Sequence, residues 1–183
     1  MAGSTNQRGS HASRPPGGAR LEAIRRAISG GGPVAPVSEL IGFRLVEAGR
    51  GSAVVELEAG ERHRNPMGTL HGGILCDIAD AAMGMAYATE LRPDETFTTV
   101  ELKINFLRPF WSGRLRARGR TIRRGRTMGL MECRVTDERR RLVAYSTATC
   151  LALQGEAAHG LTRTRLEGAT GGARRSPAPR SGR

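Results

Sequence analysis

Lysine is nearly missing from this 183-residue chain, with Lys103 standing alone among 29 basic residues. Aromatic residues are also scarce: four Phe, two Tyr and one Trp leave little with which to stack nucleobases. The formal net charge of +12 invites a polyanionic partner. Acids are absent from residues 1–20, which hold Arg8, Arg14 and Arg20, and only Glu156 and Glu167 offset six arginines in 156–183. More than half of the charge excess therefore sits at the two ends, and it reads as a bias of the whole chain rather than a designed binding face. The ends can attract polyanions without specificity, but no recognisable nucleic-acid module is present, so a dedicated nucleic-acid role is not expected. Cysteine is limited to Cys76, Cys133 and Cys150, an odd number without metal-type pairs, which suits buried thiols in a reducing cytosol. The N-terminus is polar, and no apolar run approaches the length that spans a bilayer. Neither export nor membrane insertion is expected, and the cytoplasm is the expected compartment.

What is present divides into a core and two ends. Residues 1–19 and 156–183 are built from Gly, Ser, Pro, Arg and Ala, and too few apolar side chains remain to offset the entropy of ordering them; both read as disordered tails. One domain is left over 20–155, in a size range where oligomerisation often supplies part of the stability. Leu21, Ile24 and Ile28 recur at helical spacing and Gly30 to Pro33 stops the run, so a short helix is expected over 21–29. Residues 37–42 read as one helical turn. Two runs, 43–47 and 53–58, flank a Gly49-Arg50-Gly51 turn and should form a hairpin. Past residue 89 the pattern changes to strands at 97–106, 113–122, 127–136 and 142–153, joined near the end by short polar links that predict an antiparallel meander. In Arg114-Leu115-Arg116-Ala117-Arg118-Gly119-Arg120 the guanidinium groups alternate with small residues and share one face of a strand. That face reads as solvated; its alternative is a phosphate-holding surface near a ligand mouth.

The most informative stretch lies between the hairpin and the later strands. Asn65-Pro66-Met67-Gly68-Thr69-Leu70-His71-Gly72-Gly73 is a polar loop that turns into a long helix, 74–89, apolar on nearly every side. Such a helix must be buried, and an antiparallel sheet of about six strands curling around it satisfies the element order, which is an α+β architecture. Without side chains, Gly72 and Gly73 let a ligand approach the free amides of the helix start, where the dipole favours negative charge. A plain helix cap would use the same residues. Asp80 lies among Ile78, Ala79, Ala81, Ala82 and Met83, and a carboxylate in such a setting needs partners or a shifted pKa. A hydrogen-bonded core acid is the plainer role for it, and Asp77, three residues earlier on the same face, competes for any chemical role.

Asn65, His71-Gly72-Gly73 and Asp80, placed on a loop and helix within this element order, resemble the hotdog-fold acyl-CoA thioesterases, most closely the phenylacetic-acid-degradation type, over about 37–153. The resemblance implies a hotdog fold and hydrolysis of an aryl- or medium-chain fatty acyl-CoA to free acid and CoA, without metal or redox cofactor. It implies that the Gly72 amide and the Asn65 side chain polarise the thioester carbonyl, that His71 supports them, and that Asp80 is general base or nucleophile. Thr99, or failing it Thr98, would orient the attacking water, although β-branched Thr also simply suits a strand. Gly73, Asn105, Arg108, Arg124, Gly125 and Arg126 are candidates for contacting substrate and CoA, since Arg can grip phosphate at two points. Met67, Met83 and Met85 could line the acyl pocket or pack the core. His71 and Asp80 are nine residues apart, about 13.5 Å of rise and half a turn out of phase. Both can act on one carbonyl only if Asp80 serves the helix start of another subunit, which requires a two-fold homodimer, as the family has, and a homotetramer is expected beyond it. A hotdog hydratase would need Asp and His at another spacing, and a non-catalytic acyl-CoA or aromatic-ligand binding module is the remaining alternative.

Overall fold

The computed structural model describes residues 18–31, 35–155 and 158. The expectation of tails over 1–19 and 156–183 falls, apart from Gly18, Ala19 and Ala158, outside those residues. Helix α1 (Gly18–Arg26) begins three residues before the expected start and widens into a π-type turn over Ala27–Gly31, where Gly30 takes φ 99°. Ile24 is its buried residue, and Arg20 and Arg25 tie it down by donating to the carbonyls of Glu95 (2.7 Å) and Ala48 (3.2 Å). The turn expected at 37–42 is α2 (Pro36–Ile41); Gly42 at φ 90° closes it and donates its amide to Ser38.

Strands β1 (Phe43–Gly49) and β2 (Ser52–Ala59) form the expected hairpin. A loop then leads into α3 (Gly72–Ala88), followed by β3 (Glu95–Phe106), β4 (Gly113–Arg124), β5 (Met128–Asp137) and β6 (Leu142–Gln154). The six strands make one antiparallel sheet in the order β1-β2-β4-β5-β6-β3. β4, β5 and β6 are the meander that their short polar links predict. β3 precedes them in sequence but pairs with β6, so its 12 residues form an edge of the sheet. Its far end is held where the amides of Leu107 and Arg108 both reach the Val143 carbonyl.

The sheet wraps α3, the hotdog arrangement. Leu57, Leu115, Met131, Val135 and Val143 from the strands meet Ile78, Ala82, Met83 and Tyr87 from the helix in one core. Each large side chain so buried contributes about 1.5–3 kcal/mol. Helix and sheet touch at backbone distance at one point, because a Cβ at Gly119 of β4 would lie 2.4 Å from the Ala82 carbonyl. Small residues on both partners are what allow the approach.

Of the register shifts in the sheet, those in β3 and β4 reverse the inside-outside alternation next to the candidate residues. In β3, Thr99 pairs with Cys150 and Glu101 with Thr149, so Val100 is the extra residue. Phe97 and Thr99 point inward before it, and Leu102, Ile104 and Phe106 after it. In β4 the extra residue is Ile122, which turns Arg124 into the interior opposite Gly129.

Candidate functional site

The loop before α3 is organised by Asn65. Its side-chain carbonyl accepts the amides of Met67 (3.0 Å) and Thr69 (3.2 Å), and its amide nitrogen donates to the Thr69 hydroxyl at 2.9 Å. One amide hydrogen of Asn65 is left over. Pairing with backbone on both sides anchors the next residues: Leu70 donates its amide to Phe110, and His71 to the carbonyl of the buried His63 (2.9 Å).

His71 is the N-cap of α3. Its Nδ1 accepts the Gly73 amide at 2.9 Å, so Nδ1 carries no proton in this arrangement and the Nε2 side is exposed. The Gly73 amide is thereby taken, whereas the Gly72 amide meets no acceptor among the described residues. Gly72 also lies under the ring of Phe106; a Cβ there would come within 2.9 Å of the ring edge. A methyl group at 72 would have to displace the half-exposed Phe106 ring, which covers one side of the free amide. Alternation counted from Phe97 and Thr99 would put Phe106 on the outer face, and the bulge at Val100 is what turns it toward the helix.

Asp80 sits half-buried one turn beyond Asp77, which is exposed. Thr99 donates its hydroxyl to Asp80 Oδ1 at 2.9 Å and lies 3.7 Å from the Cys150 thiol. Burial pushes the Cys150 thiol up, the Thr99 contact pulls it down, and the Asp80 charge pushes it up again, with a net rise that keeps it protonated. Cys133 is pushed up to about 12 by burial and then by Glu132, and Cys76 is raised by burial and by Asp77. None of the three is poised as a thiolate nucleophile. Partial desolvation against the helix surface, followed by the charge of Asp80, raises the exposed Asp77. Thr98, on the outer side of the strand, makes only a 3.5 Å contact to the Thr99 carbonyl.

The remaining candidates separate between the two ends of α3. Asn105 and Arg108 are exposed beside Phe106, at the Gly72 end. Arg124, Gly125 and Arg126 are at the other end. The Arg124 side chain, 7 % exposed, donates to Glu95 Oε2 at 2.6 Å and to the Glu90 carbonyl at 3.1 Å, and stacks over the Tyr87 ring at 5.4 Å. Read by simple alternation it would have joined the outer arginine face; the Ile122 bulge places its guanidinium in the core, where these partners occupy it. Gly125 closes the β4–β5 turn by donating to Met128, and Arg126 is exposed on that turn. Met83 is wholly buried in the core, Met85 is half-buried and Met67 is exposed.

His71 with Gly72 and Asp80 with Thr99 thus form two candidate half-sites in separate surroundings on one helix. Among the described residues, no group of three or more His, Cys, Asp or Glu side chains could hold a metal ion, and no helix is long and apolar enough to cross a membrane.

Comparison with known proteins bears on the whole domain. The profile of the Thioesterase superfamily matches residues 67–144, which spans both half-sites. The chain is 33 % identical over 113 residues to the 1,4-dihydroxy-2-naphthoyl-CoA hydrolase of Listeria monocytogenes, covering 62 % of this chain and 92 % of that one. Among solved structures, it resembles a conserved protein of Pseudomonas aeruginosa (33 % identity, TM-score 0.63, 66 % of this chain and 95 % of that one). It also resembles a phenylacetic acid degradation-related protein of Ralstonia eutropha (31 % identity, TM-score 0.64, 70 % and 98 %). The PaaI protein of E. coli shares the fold at 20 % identity (TM-score 0.65, 76 % and 94 %). With its helix-wrapping sheet, its capped glycine turn and these relatives, the chain is an enzyme domain that belongs to the hotdog-fold, PaaI-like branch of the thioesterase superfamily.

Proposed function

We propose that the protein hydrolyses an aryl- or medium-chain fatty acyl-CoA thioester to the free acid and CoA, in the cytoplasm, with Asp80 as the residue that activates attack. The observation that carries this reading is the 2.9 Å hydrogen bond from Thr99 to Asp80, the half-buried carboxylate of a helix whose other acid, Asp77, is exposed. The bond fixes one carboxylate oxygen and leaves the other for a water molecule or for the carbonyl carbon. At the start of the helix, the unoccupied Gly72 amide, with the positive end of the helix dipole behind it, can accept the developing oxyanion. His71 holds the turn in shape by capping Gly73, and the spare Asn65 amide hydrogen can reach the same carbonyl. Water adds to the carbonyl carbon, Asp80 takes the proton, the C–S bond breaks, and the CoA sulfur leaves as the thiol once it is reprotonated. Asp80 acting as nucleophile would instead pass through a mixed anhydride. Hydrolysis in ¹⁸O-water under single turnover distinguishes the two, since label enters the Asp80 carboxylate only on the second route.

The two half-sites serve one carbonyl if Asp80 faces the helix start of a second copy across a two-fold axis. The long, uncovered β3 edge, with Val100 55 % exposed, is a surface that such a copy would cover. Asn105 and Arg108 stand at the Gly72 end, where the CoA portion leaves the site.

Asp80→Asn tests the assignment. It keeps the Thr99 partner and the shape, and should lower kcat by about 10²–10⁴ with the fold intact. Wild-type turnover of a good substrate by this variant would remove Asp80 from the chemistry. Tight binding of acyl-CoAs with no thiol release by the wild type would instead make the domain a binding module.

A further inference from the structure

The outer face of the sheet carries a concave groove of about 690 Å³ that the hydrolytic site does not use. One wall is the arginine ladder of β4: Arg114, Arg116 and Arg118. The other is Arg134 and Thr136 of β5 with Asp137, Glu138 and Arg140 of the β5–β6 turn. The first wall is compensated. Arg114 lies 3.8 Å from Glu58, Arg116 is 3.0 Å from Glu56 and also bonds Glu47, and Arg118 is 3.6 Å from Glu47. The second wall is paired less closely, although Asp137 and Glu138 lie in it and Arg134 acts on Glu132 through space. Arg134 and Arg140 have no carboxylate within 4 Å among the described residues, and the nearby Glu132 is engaged by Arg120 and by the Tyr145 hydroxyl.

The register then sets Arg118 directly opposite Arg134. Like charges at a cross-strand pair oppose pairing. Arg140 is, among the described residues, the one residue other than glycine with positive φ, at 60°, which non-glycine residues adopt rarely. The two acids of the groove are turned to local tasks: Asp137 binds Arg141 at 2.7 Å and Glu138 accepts the Arg114 amide at 3.2 Å. The groove therefore presents Arg134 and Arg140 without a carboxylate within 4 Å among the described residues, and beside them Arg118, whose one ion-pair contact is Glu47 at 3.6 Å.

We infer that this groove binds closely spaced phosphates of the nucleoside-bisphosphate class. Guanidinium groups converging from two walls fit two neighbouring phosphates, and Thr136 offers a hydroxyl. A second hollow, lined by Phe110, Ser112 and Gly113, continues from the groove to the rim. There the Phe110 carbonyl holds the amide of Leu70, the residue before His71. Phe110 thus ties the second hollow to the loop that leads into α3, and the source of phosphates that fits a site on that side of the domain is the 3′-phosphorylated ADP end of a CoA thioester. This choice of source rests on the thioesterase reading; the site itself does not.

Adenosine 3′,5′-bisphosphate is the probe, titrated by calorimetry into the full-length protein, into Arg118→Gln/Arg134→Gln, into Arg140→Asn, and into Arg50→Gln/Arg123→Gln as a charge-matched control. The two groove variants should weaken binding about tenfold or more, as expected on losing charged phosphate contacts, and the control by no more than about twofold. Relief of the Arg118–Arg134 repulsion should leave the double variant melting no lower than wild type; Arg140→Asn, on a turn that suits Asn, reads the site without touching the sheet. The KM for an acyl-CoA should rise about tenfold in the groove variants, while the KM for the same acyl group on pantetheine stays fixed. Lost probe binding with both KM values unchanged would keep the site and make its ligand a separate nucleotide. Lost probe binding in a protein that hydrolyses no thioester would sink the thioesterase reading and leave the site standing. No probe binding by wild type, equal binding by the groove variants, or an equal loss in the control would overturn the inference.

Discussion

At the residue scale, the proposed chemistry depends on how one carboxylate is held. Asp80 on an apolar helix is tolerated because Thr99 donates to it, and Thr99 in turn is backed by a thiol that keeps its proton. Thr99→Val removes the donor at nearly constant volume. It should lower kcat about tenfold to a hundredfold with little change in KM, and Thr99→Ser, which retains the hydroxyl, should recover most of the rate. Equal kcat values in all three proteins, measured by thiol release, would mean that the bond only packs the strand. Both Asp80 and the Thr98-Thr99 pair are visible in the sequence. The choice between the two threonines depends on which side of β3 faces the helix, and the Val100 bulge beside them means that alternation counted from the later half of the strand gives the wrong side.

At the scale of elements, the position of α3 in the sheet depends on one close approach. Gly119 has no Cβ, and Ala82 stands against it; adding a methyl group would put it 2.4 Å from a helix carbonyl. Gly119→Ala should therefore push the helix off β4 and cost about 3 kcal/mol or more, read as a fall in the denaturation midpoint. An unchanged midpoint would show that the helix can shift freely. The arginine alternation of β4 gave its outer face directly, because period-two spacing needs no partner to be read. The same pattern misleads from residue 122 onward: the bulge there is a property of the β4–β5 register, and it turns Arg124 from the surface into the core.

At the scale of the whole molecule, two features close the structure. The first is the buried cluster at the far end of α3, where Glu95, 1 % exposed, binds Arg92, Arg124 and Gln154 while Arg20 of α1 reaches its backbone. Burial pushes the Glu95 carboxyl up, but the hydrogen bonds from Arg92, Arg124 and Gln154 outweigh it and hold it below the ordinary range. A depressed folded-state value means that the contribution is fully present above the unfolded value of about 4.3 and is lost as pH falls through the lower folded value. Glu95→Gln leaves Arg124 uncompensated and should cost about 3–5 kcal/mol at neutral pH. In urea titrations the gap between the two proteins should shrink below about pH 4; a pH-independent gap would mean that the charge of Glu95 is not what matters. The second feature is assembly. If each site joins the Gly72 turn of one copy to Asp80 of another, mixing the inactive variants Asp80→Asn and Gly72→Ala should restore about half the wild-type activity per mixed dimer, because one of its two sites then carries neither lesion. No recovery after refolding the two together would place each site within one chain.

The sequence by itself determined the order and type of the elements, the buried character of α3, and the loop and helix residues that carry the resemblance. Those signals are local: hydrophobic period, glycine turns and an acid on an apolar face. Only the tertiary structure decided that β3 leaves its neighbours in sequence to pair with β6, that Asn65 spends most of its hydrogen bonds on its own loop, that Phe106 covers Gly72, and that Arg124 is internal while Arg118 confronts Arg134. These are consequences of strand order, bulges and register, in which residues far apart in the chain are set against one another, and no single stretch of sequence contains both partners.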